Sequence, residues 1–223
     1  MAPALSLIAS LAACQAAPPT PPVPPDPTVW LHTEGGGELG VSTPYGVVFL
    51  GRGSRSGEVE FDVWFGDGPG TEIGIIESLG NGLYLTQAEI LLPQVPLGHD
   101  LPPAGTSVVV RGRDEDGAYE PTGRVAEHER VEGLIVDLGR PSPEPGAGAG
   151  IFVQTGDGLR LIGLVAGRLE MTDPDPRPVA AGDWRRLDPV WTAIGPDKLW
   201  RLVAHARDSD RPRRAVYRED ILP

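Results

Sequence analysis

The chain has 223 residues, 31 acidic against 19 basic side chains, a formal net charge of −12 and a single cysteine. That balance excludes the basic footprint of a general nucleic-acid binder, so no nucleic-acid partner is expected. One cysteine excludes an internal disulfide, and the fold must rest on its apolar core. The 30 glycines and 25 prolines approach the share at which chains stop folding. Many of the prolines lie in one early segment, however, and the rest punctuate apolar runs, as in an ordered, turn-rich domain. Without the first 28 or so residues, about 195 remain, enough for one domain or two small ones. There is no internal sequence repeat.

The chain opens on an apolar run, Ala4 to Ala13, that ends in Leu11-Ala12-Ala13-Cys14. It is too short to span a bilayer, which takes about 20 residues. Leu-Ala-Ala-Cys resembles the lipobox of bacterial lipoproteins, cut before the cysteine by a signal peptidase. The resemblance implies a signal peptide over 1–13 and a diacylglycerol on the Cys14 thiol. It implies a membrane as partner and an extracytoplasmic site in the bacterial cell envelope, at the outer membrane or cell surface. One feature departs from the pattern: no Lys or Arg precedes the run, where a positive region is the rule. Ala16 to Pro27 (AAPPTPPVPPDP) follows. Such a segment favours polyproline II and acts as a semi-rigid spacer, so 14–28 reads as a tether.

Short apolar, β-branched runs dominate 45–170. Gly46–Leu50, Glu58–Phe65, Glu72–Glu77 and Leu83–Thr86 are strand candidates. Val59, Phe61, Val63 and Phe65 alternate with Glu60, Asp62 and Trp64, the period of a strand with one buried face. Leu79-Gly80-Asn81-Gly82 is turn chemistry, because Gly and Asn tolerate positive φ. Ser107–Arg111, Gly123–Glu127, Leu134–Leu138, Ile151–Gln154 and Arg160–Ala166 complete the predicted strands. Turns every ~8–12 residues suggest a sandwich or barrel.

Helix is predicted only near the end. Asp188-Pro189 reads as a cap and first helical residue, with Gly195-Pro196 as the stop. Pro196 then opens a second helix through Asp208, with Leu199, Val203 and Ala206 on one face and Leu202 beside them. Arg211 to Arg218 (RPRRAVYR) reads as a solvated tail.

Few residues suggest chemistry of their own. The histidines, His32, His99, His128 and His205, show no metal-ligand spacing, and there is no His/Cys cluster. No metal and no cofactor is expected. Glu89 and Asp137, each flanked by apolar residues, are the best carboxylates for a glycosidase pair. Asp114-Glu115-Asp116-Gly117 and Asp173-Pro174-Asp175-Pro176 are acidic loops. The first lacks the full calcium-loop pattern.

Two stretches resemble the trypsin-like (chymotrypsin-fold) serine proteases. In Gly70 to Leu92, Leu85-Thr86-Gln87-Ala88-Glu89-Ile90 is similar to the family's Leu-Thr-x-Ala-His-Val motif, with Glu89 where the base histidine stands. In that family a Gly-rich strand and a turn precede the motif-bearing strand. In Pro145 to Gly167, Gly146-Ala147-Gly148-Ala149-Gly150 aligns with Gly-Asp/Asn-Ser-Gly-Gly, placing Gly148 at the nucleophile; a one-residue shift places Ala147 there. Leu161-Ile162-Gly163-Leu164-Val165 follows where the family has its Leu-Val-Gly-Ile strand. Gly105 to Arg124 is similar to the opening strands of the second barrel. His99-Asp100-Leu101 resembles the Asp-Leu/Ile pair of the triad, which makes Asp100 a candidate.

The family also needs several strands between its base and its second barrel, and only about twenty residues separate Glu89 from Ser107, so the first barrel reads as truncated. The resemblance implies a mainly β chain with a double β-barrel and short C-terminal helices. The expected halves are 29–103 and 104–182, followed by a helical segment and tail over 183–223. An unrelated β-sandwich or barrel is the alternative fold.

Hydrolysis on this scaffold needs an oxygen nucleophile, an imidazole base and an oxyanion hole. A carboxylate, with an ordinary pKa of about 4.3, is poorly matched to the base's task. The resemblance therefore implies no intact catalytic set, with Glu89, Gly148 and Asp100 as degenerate positions. The N–H groups of Gly146, Ala147, Gly148, Ala149 and Gly150 are candidates for an anion nest that binds a peptide or protein partner without turnover. The alternatives are an active hydrolase, with Ser42, Ser107 and Ser142 as the first nucleophiles to test, and a structural envelope lipoprotein.

Overall fold

The computed structural model describes residues 26–33, 36–51, 58–65, 68–86, 93–114, 116–128, 131–169 and 190–208. Six strands form the first unit: β1 (Thr28–Thr33), β2 (Gly36–Thr43), β3 (Gly46–Leu50), β4 (Glu58–Phe65), β5 (Gly68–Gly80) and β6 (Leu83–Thr86). They pair antiparallel into a closed barrel in the order β1-β2-β3-β6-β5-β4. The first barrel is therefore not truncated. The strands that seemed missing after Leu83–Thr86 lie upstream, in β1 and β2. In β2 the glycines Gly36, Gly37 and Gly40 obscure the period-two signal, and β1 is a short run that ends in His32-Thr33.

The second unit contains β7 (Ser107–Asp114), β8 (Gly117–Tyr119), β9 (Thr122–His128), β10 (Val131–Asp137), β11 (Gly150–Thr155), β12 (Gly158–Leu169) and β13 (Val190–Ile194). Their order is β11-β12-β13-β10-β9-β7-β8, and a further β11–β7 pairing closes the ring. β8 and β9 form one interrupted arm of a hairpin with β7. Ser107 pairs with Arg124 and Asp114 with Gly117 in the same register, and the break falls at Glu120-Pro121. Proline has no N–H to give the ladder, but its carbonyl still accepts the Val110 N–H at 2.9 Å. With that arm counted once, the second ring repeats the order of the first. Leu83–Thr86 and Ile151–Gln154 accordingly lie in separate barrels.

β13 corrects the helix expected after Asp188-Pro189 and the boundary at 182. Val190–Ile194 is a strand seated between β10 and β12, with Trp191 fully buried. Its flanking Pro189 and Gly195-Pro196 look like helix punctuation, but five residues rich in β-formers suit a strand. Without it the second ring would stay open. The last helix, α1 (Pro196–Asp208), does open at Pro196 and buries Leu199 and Val203.

β3 illustrates how the core is divided. Its alternate residues Val47 and Phe49 join Val29, Leu31 and Ile76 inside the first barrel. Val48 points the other way, into a seam with Val41, Leu83, Leu85, Val95, Leu97, Phe152, Leu161, Leu164, Leu199 and Val203. Both faces of β3 are buried, so its sequence is a continuous apolar run without alternation. The seam draws on both barrels, the connecting segment and α1. Each fully buried Leu, Val or Phe there contributes about 1.5–3 kcal/mol, which fixes the two barrels against each other. No described helix is long and apolar enough to cross a membrane.

Candidate functional site

The loop 145–149, just before β11, is where the sequence places the nucleophile motif, and it lies against the first barrel. Gly148 has φ +88, and a Cβ there would stand 2.4 Å from the backbone oxygen of Leu39 in β2. Two independent conditions therefore require glycine: a left-handed backbone and a close approach by another main chain. Neither admits a serine at this position. Ala147, the other aligned residue, is half-buried and has no oxygen to offer.

The oxyanion hole of this scaffold uses the amide of the nucleophile and that of the residue two before it, here Gly148 and Gly146. Both donate to protein acceptors. Gly146 N–H donates to the Tyr119 hydroxyl at 2.9 Å, and Gly148 N–H to the Val165 carbonyl at 2.8 Å. Ala149 N–H donates to the Gly146 carbonyl at 3.2 Å, and Val165 N–H returns to the Ala149 carbonyl at 2.9 Å. Gly150 is already in the ladder between β7 and β12. The loop is thus laced onto β12, and its amides do not converge on an anion. This corrects the nest expected at Gly146–Gly150.

Tyr119 and Leu39 shape the site, and neither was singled out from the sequence. Tyr119 comes from β8, whose turn is held by Asp114: its Oδ1 accepts the N–H groups of Asp116 and Gly117 at 3.0 and 3.1 Å. That use explains the Asp114-Glu115-Asp116-Gly117 loop without calcium, and no group of three or more metal-binding side chains occurs among the described residues. Burial pushes the Tyr119 phenol above its usual value; the Gly146 N–H pulls it down, and the Asp114 charge adds to the rise. Leu39 belongs to a first-barrel strand but is buried in the second barrel's core with Tyr119, Ala149, Ile151 and Val165. The signal for Tyr119 was a hairpin turn two residues before it. Nothing local marks Leu39.

The remaining candidates separate. Glu89 and Cys14 lie outside the described residues, as do the 173–176 and 211–218 segments. β6 is the last strand of the first barrel, and no described strand lies between it and β7, whereas the family sets several there. β2 carries Gly36, Gly37 and Gly40 and turns through Pro44-Tyr45 into β3, with β4, β5 and β6 still to come. The chain after β3 reads Gly51-Arg52-Gly53-Ser54-Arg55-Ser56-Gly57, and no histidine occurs between His32 and His99.

Asp100 is exposed on the segment between the barrels. Asp137 is exposed, and its Oδ1 accepts the Gly139 N–H at 2.8 Å, so it serves a turn and not a glycosidase pair. His99 packs at a tilt against Trp200, ring centroids 4.1 Å apart and planes at 57°, and His205 is exposed. Of the three candidate serines, Ser42 is buried, while Ser107 and Ser142 are exposed.

Two antiparallel six-stranded rings of one strand order, joined by a buried seam and closed by a C-terminal helix, make a trypsin-like serine protease fold. Solved structures bear this out. The chain is similar to an inactive form of a serine-to-alanine mutant of Rv3671c from Mycobacterium tuberculosis H37Rv (14% identity, 83% of this chain and 89% of that chain, TM-score 0.56). It is also similar to the inactive form of the Rv3671c protease (15% identity, 82% and 89%, TM-score 0.54). The MamO protease domain from Magnetospirillum magneticum, in its apo form, matches at 15% identity over 82% of this chain and 96% of that chain, with a TM-score of 0.49. No protein-family model matches the chain, and no curated protein sequence does.

Proposed function

We propose that this chain is a cell-envelope lipoprotein whose trypsin-like domain has no hydrolytic activity and serves in binding or scaffolding. The observation that carries the loss of activity is at Gly148. The nucleophile position has a left-handed backbone, lacks room for a side chain, and spends its amide on Val165. With the Gly146 amide on the Tyr119 hydroxyl, neither donor of the oxyanion hole points at a substrate carbonyl. The base position after β3 offers no imidazole. A scaffold without nucleophile, base and oxyanion hole keeps none of the three terms that make it a catalyst. The lipid anchor rests on Leu11-Ala12-Ala13-Cys14 and the proline-rich tether behind it.

The test is a serine-reactive phosphonate applied to the full chain alongside an active trypsin-like protease. No covalent adduct and no peptide or ester turnover are expected from this chain. Stoichiometric labelling would overturn the reading and direct mapping to Ser107 and Ser142 first, since Ser42 is buried. For the anchor, the chain expressed in a bacterium should fractionate with membranes and take up labelled fatty acid, and the Cys14→Ala variant should do neither. Two acyl chains suffice for stable anchoring where one is marginal.

A further inference from the structure

Three aromatic side chains from distant parts of the sequence meet at the surface beside the place where the chain enters the first barrel. Tyr45, from the β2–β3 turn, meets Trp200 of α1 edge-on at 5.5 Å between centroids. His99, from the segment between the barrels, lies on the same Trp200 ring at 4.1 Å. His99 is exposed, Tyr45 and Trp200 are half-buried, and Leu101, two residues beyond His99, is 50% exposed, the largest exposure of any large apolar residue described. Tyr45 and Trp200 pack against the seam, and with His99 they make an aromatic shelf.

The entry point is defined by Ser42. Its N–H donates to the Pro27 carbonyl at 2.8 Å, and its carbonyl accepts the Val95 N–H at 3.1 Å. Pro27 has no N–H to offer that carbonyl, so the β1–β2 ladder ends there and Val95 takes its place. Tyr45 lies three residues beyond Ser42, in the turn that follows β2. Val95 leads to His99 in four. The chain upstream of Asp26 therefore starts next to the shelf.

That upstream chain has a composition suited to it. A polyproline II helix has three residues per turn. At that period Pro18, Pro21, Pro24 and Pro27 share one edge, Pro19, Pro22 and Pro25 a second, and Thr20, Val23 and Asp26 the third. Two of three edges are all proline. Aromatic-lined surfaces dock such segments because the segment is already extended and loses little entropy on binding.

We infer that the Tyr45–His99–Trp200 shelf is a docking site for an extended proline-rich segment, and that its occupant is this chain's own segment 18–25. Residues 18–25 span about 25 Å as polyproline II. Docked, they hold the tether along the domain; released, they let the domain stand farther from whatever holds residue 14. The inference is independent of lipidation and of catalysis.

The experiment compares tryptophan indole and histidine ring resonances in two full-length proteins, both carrying Cys14→Ala to keep them in solution. One has the native tether. In the other, Pro18, Pro19, Pro21, Pro22, Pro24 and Pro25 are all replaced by serine. The Trp200 and His99 signals should differ between the two, while buried Trp191 stays fixed. A synthetic peptide of the 18–25 sequence, added to the serine-tether protein, should move Trp200 and His99 toward their native positions. His99→Ala, at an exposed position, should weaken that peptide about fivefold, the worth of one aromatic contact. Identical Trp200 and His99 signals in the two proteins would overturn the inference. So would a difference that disappears on dilution, which would make a second copy the occupant.

Discussion

The two barrels share one strand order but differ in what their connections do. In the first, β2–β3 turns in two residues at Pro44-Tyr45, and β5–β6 turns at Asn81-Gly82, with Asn81 at φ 53. These hairpins join neighbouring strands of the ring. In the second, the β7–β8 hairpin and the loop before β11 come together, where Tyr119, Gly146 and Gly148 meet Leu39 of the first barrel. Any suitable apolar filling builds the ring. The loops at its mouth decide whether the fold can do chemistry, and here those loops are locked to each other.

The sharpest way to break the comparison is to put a serine at Gly148, the proposed nucleophile position. Gly148→Ser should destabilise the protein by about 4 kcal/mol, combining left-handed strain with overpacking against Leu39. Gly146→Ser, where a Cβ would meet Leu39 and Tyr119 at an ordinary 3.6 Å, should cost within about 0.5 kcal/mol. Urea unfolding of the two variants makes the test, and equal midpoints would show that the loop is not held as described.

Leu39→Ala should cost about 3 kcal/mol. The loss should fall on the second barrel as well, although the residue belongs to the first. Hydrogen exchange at Ile151 and Val165 reads this, and protection unchanged there would separate the two cores.

Tyr119→Phe removes the acceptor of the Gly146 N–H and should cost about 1–2 kcal/mol. In the native protein the phenol's raised pKa means that the folded state holds its proton longer than the unfolded state does. Stability from this group is therefore complete below the free phenol's value of about 10 and is lost as pH rises through the higher folded value. A tyrosinate absorbance titration should show a step above the free phenol's value, and Tyr119→Phe should abolish that step.

The smallest effect is expected at the cross-strand pair of Arg111 and Glu120, Nε to Oε2 3.0 Å. Arg111 is buried over the Phe152 ring at 5.9 Å, but Glu120 is more than half exposed. Glu120→Gln should therefore change stability by about 0.5 kcal/mol or less, measured in the same urea series.

The sequence by itself determined the elements whose signal is local. β3, β4 and β6 match their predicted bounds, the Gly80-Asn81-Gly82 turn has its positive φ values, and α1 starts at Pro196. Each depends on an apolar run, a turn dipeptide or a fixed proline φ that a short window contains. It also carried the resemblance to the trypsin-like fold, through the order of two glycine-marked segments. It did not reveal β1, a run of six residues, or β2, whose glycines allow close approach to other strands and break the alternation. It misassigned β13, which is a strand because β10 and β12 leave a gap of that width. The Leu85-Thr86 start of its base motif falls on β6, and Leu-Thr-x-Ala says nothing about how many strands come before it. Only tertiary structure decided that Gly148 must be glycine. The reason is the Leu39 carbonyl, more than a hundred residues earlier in the chain, and no local window in the sequence contains both.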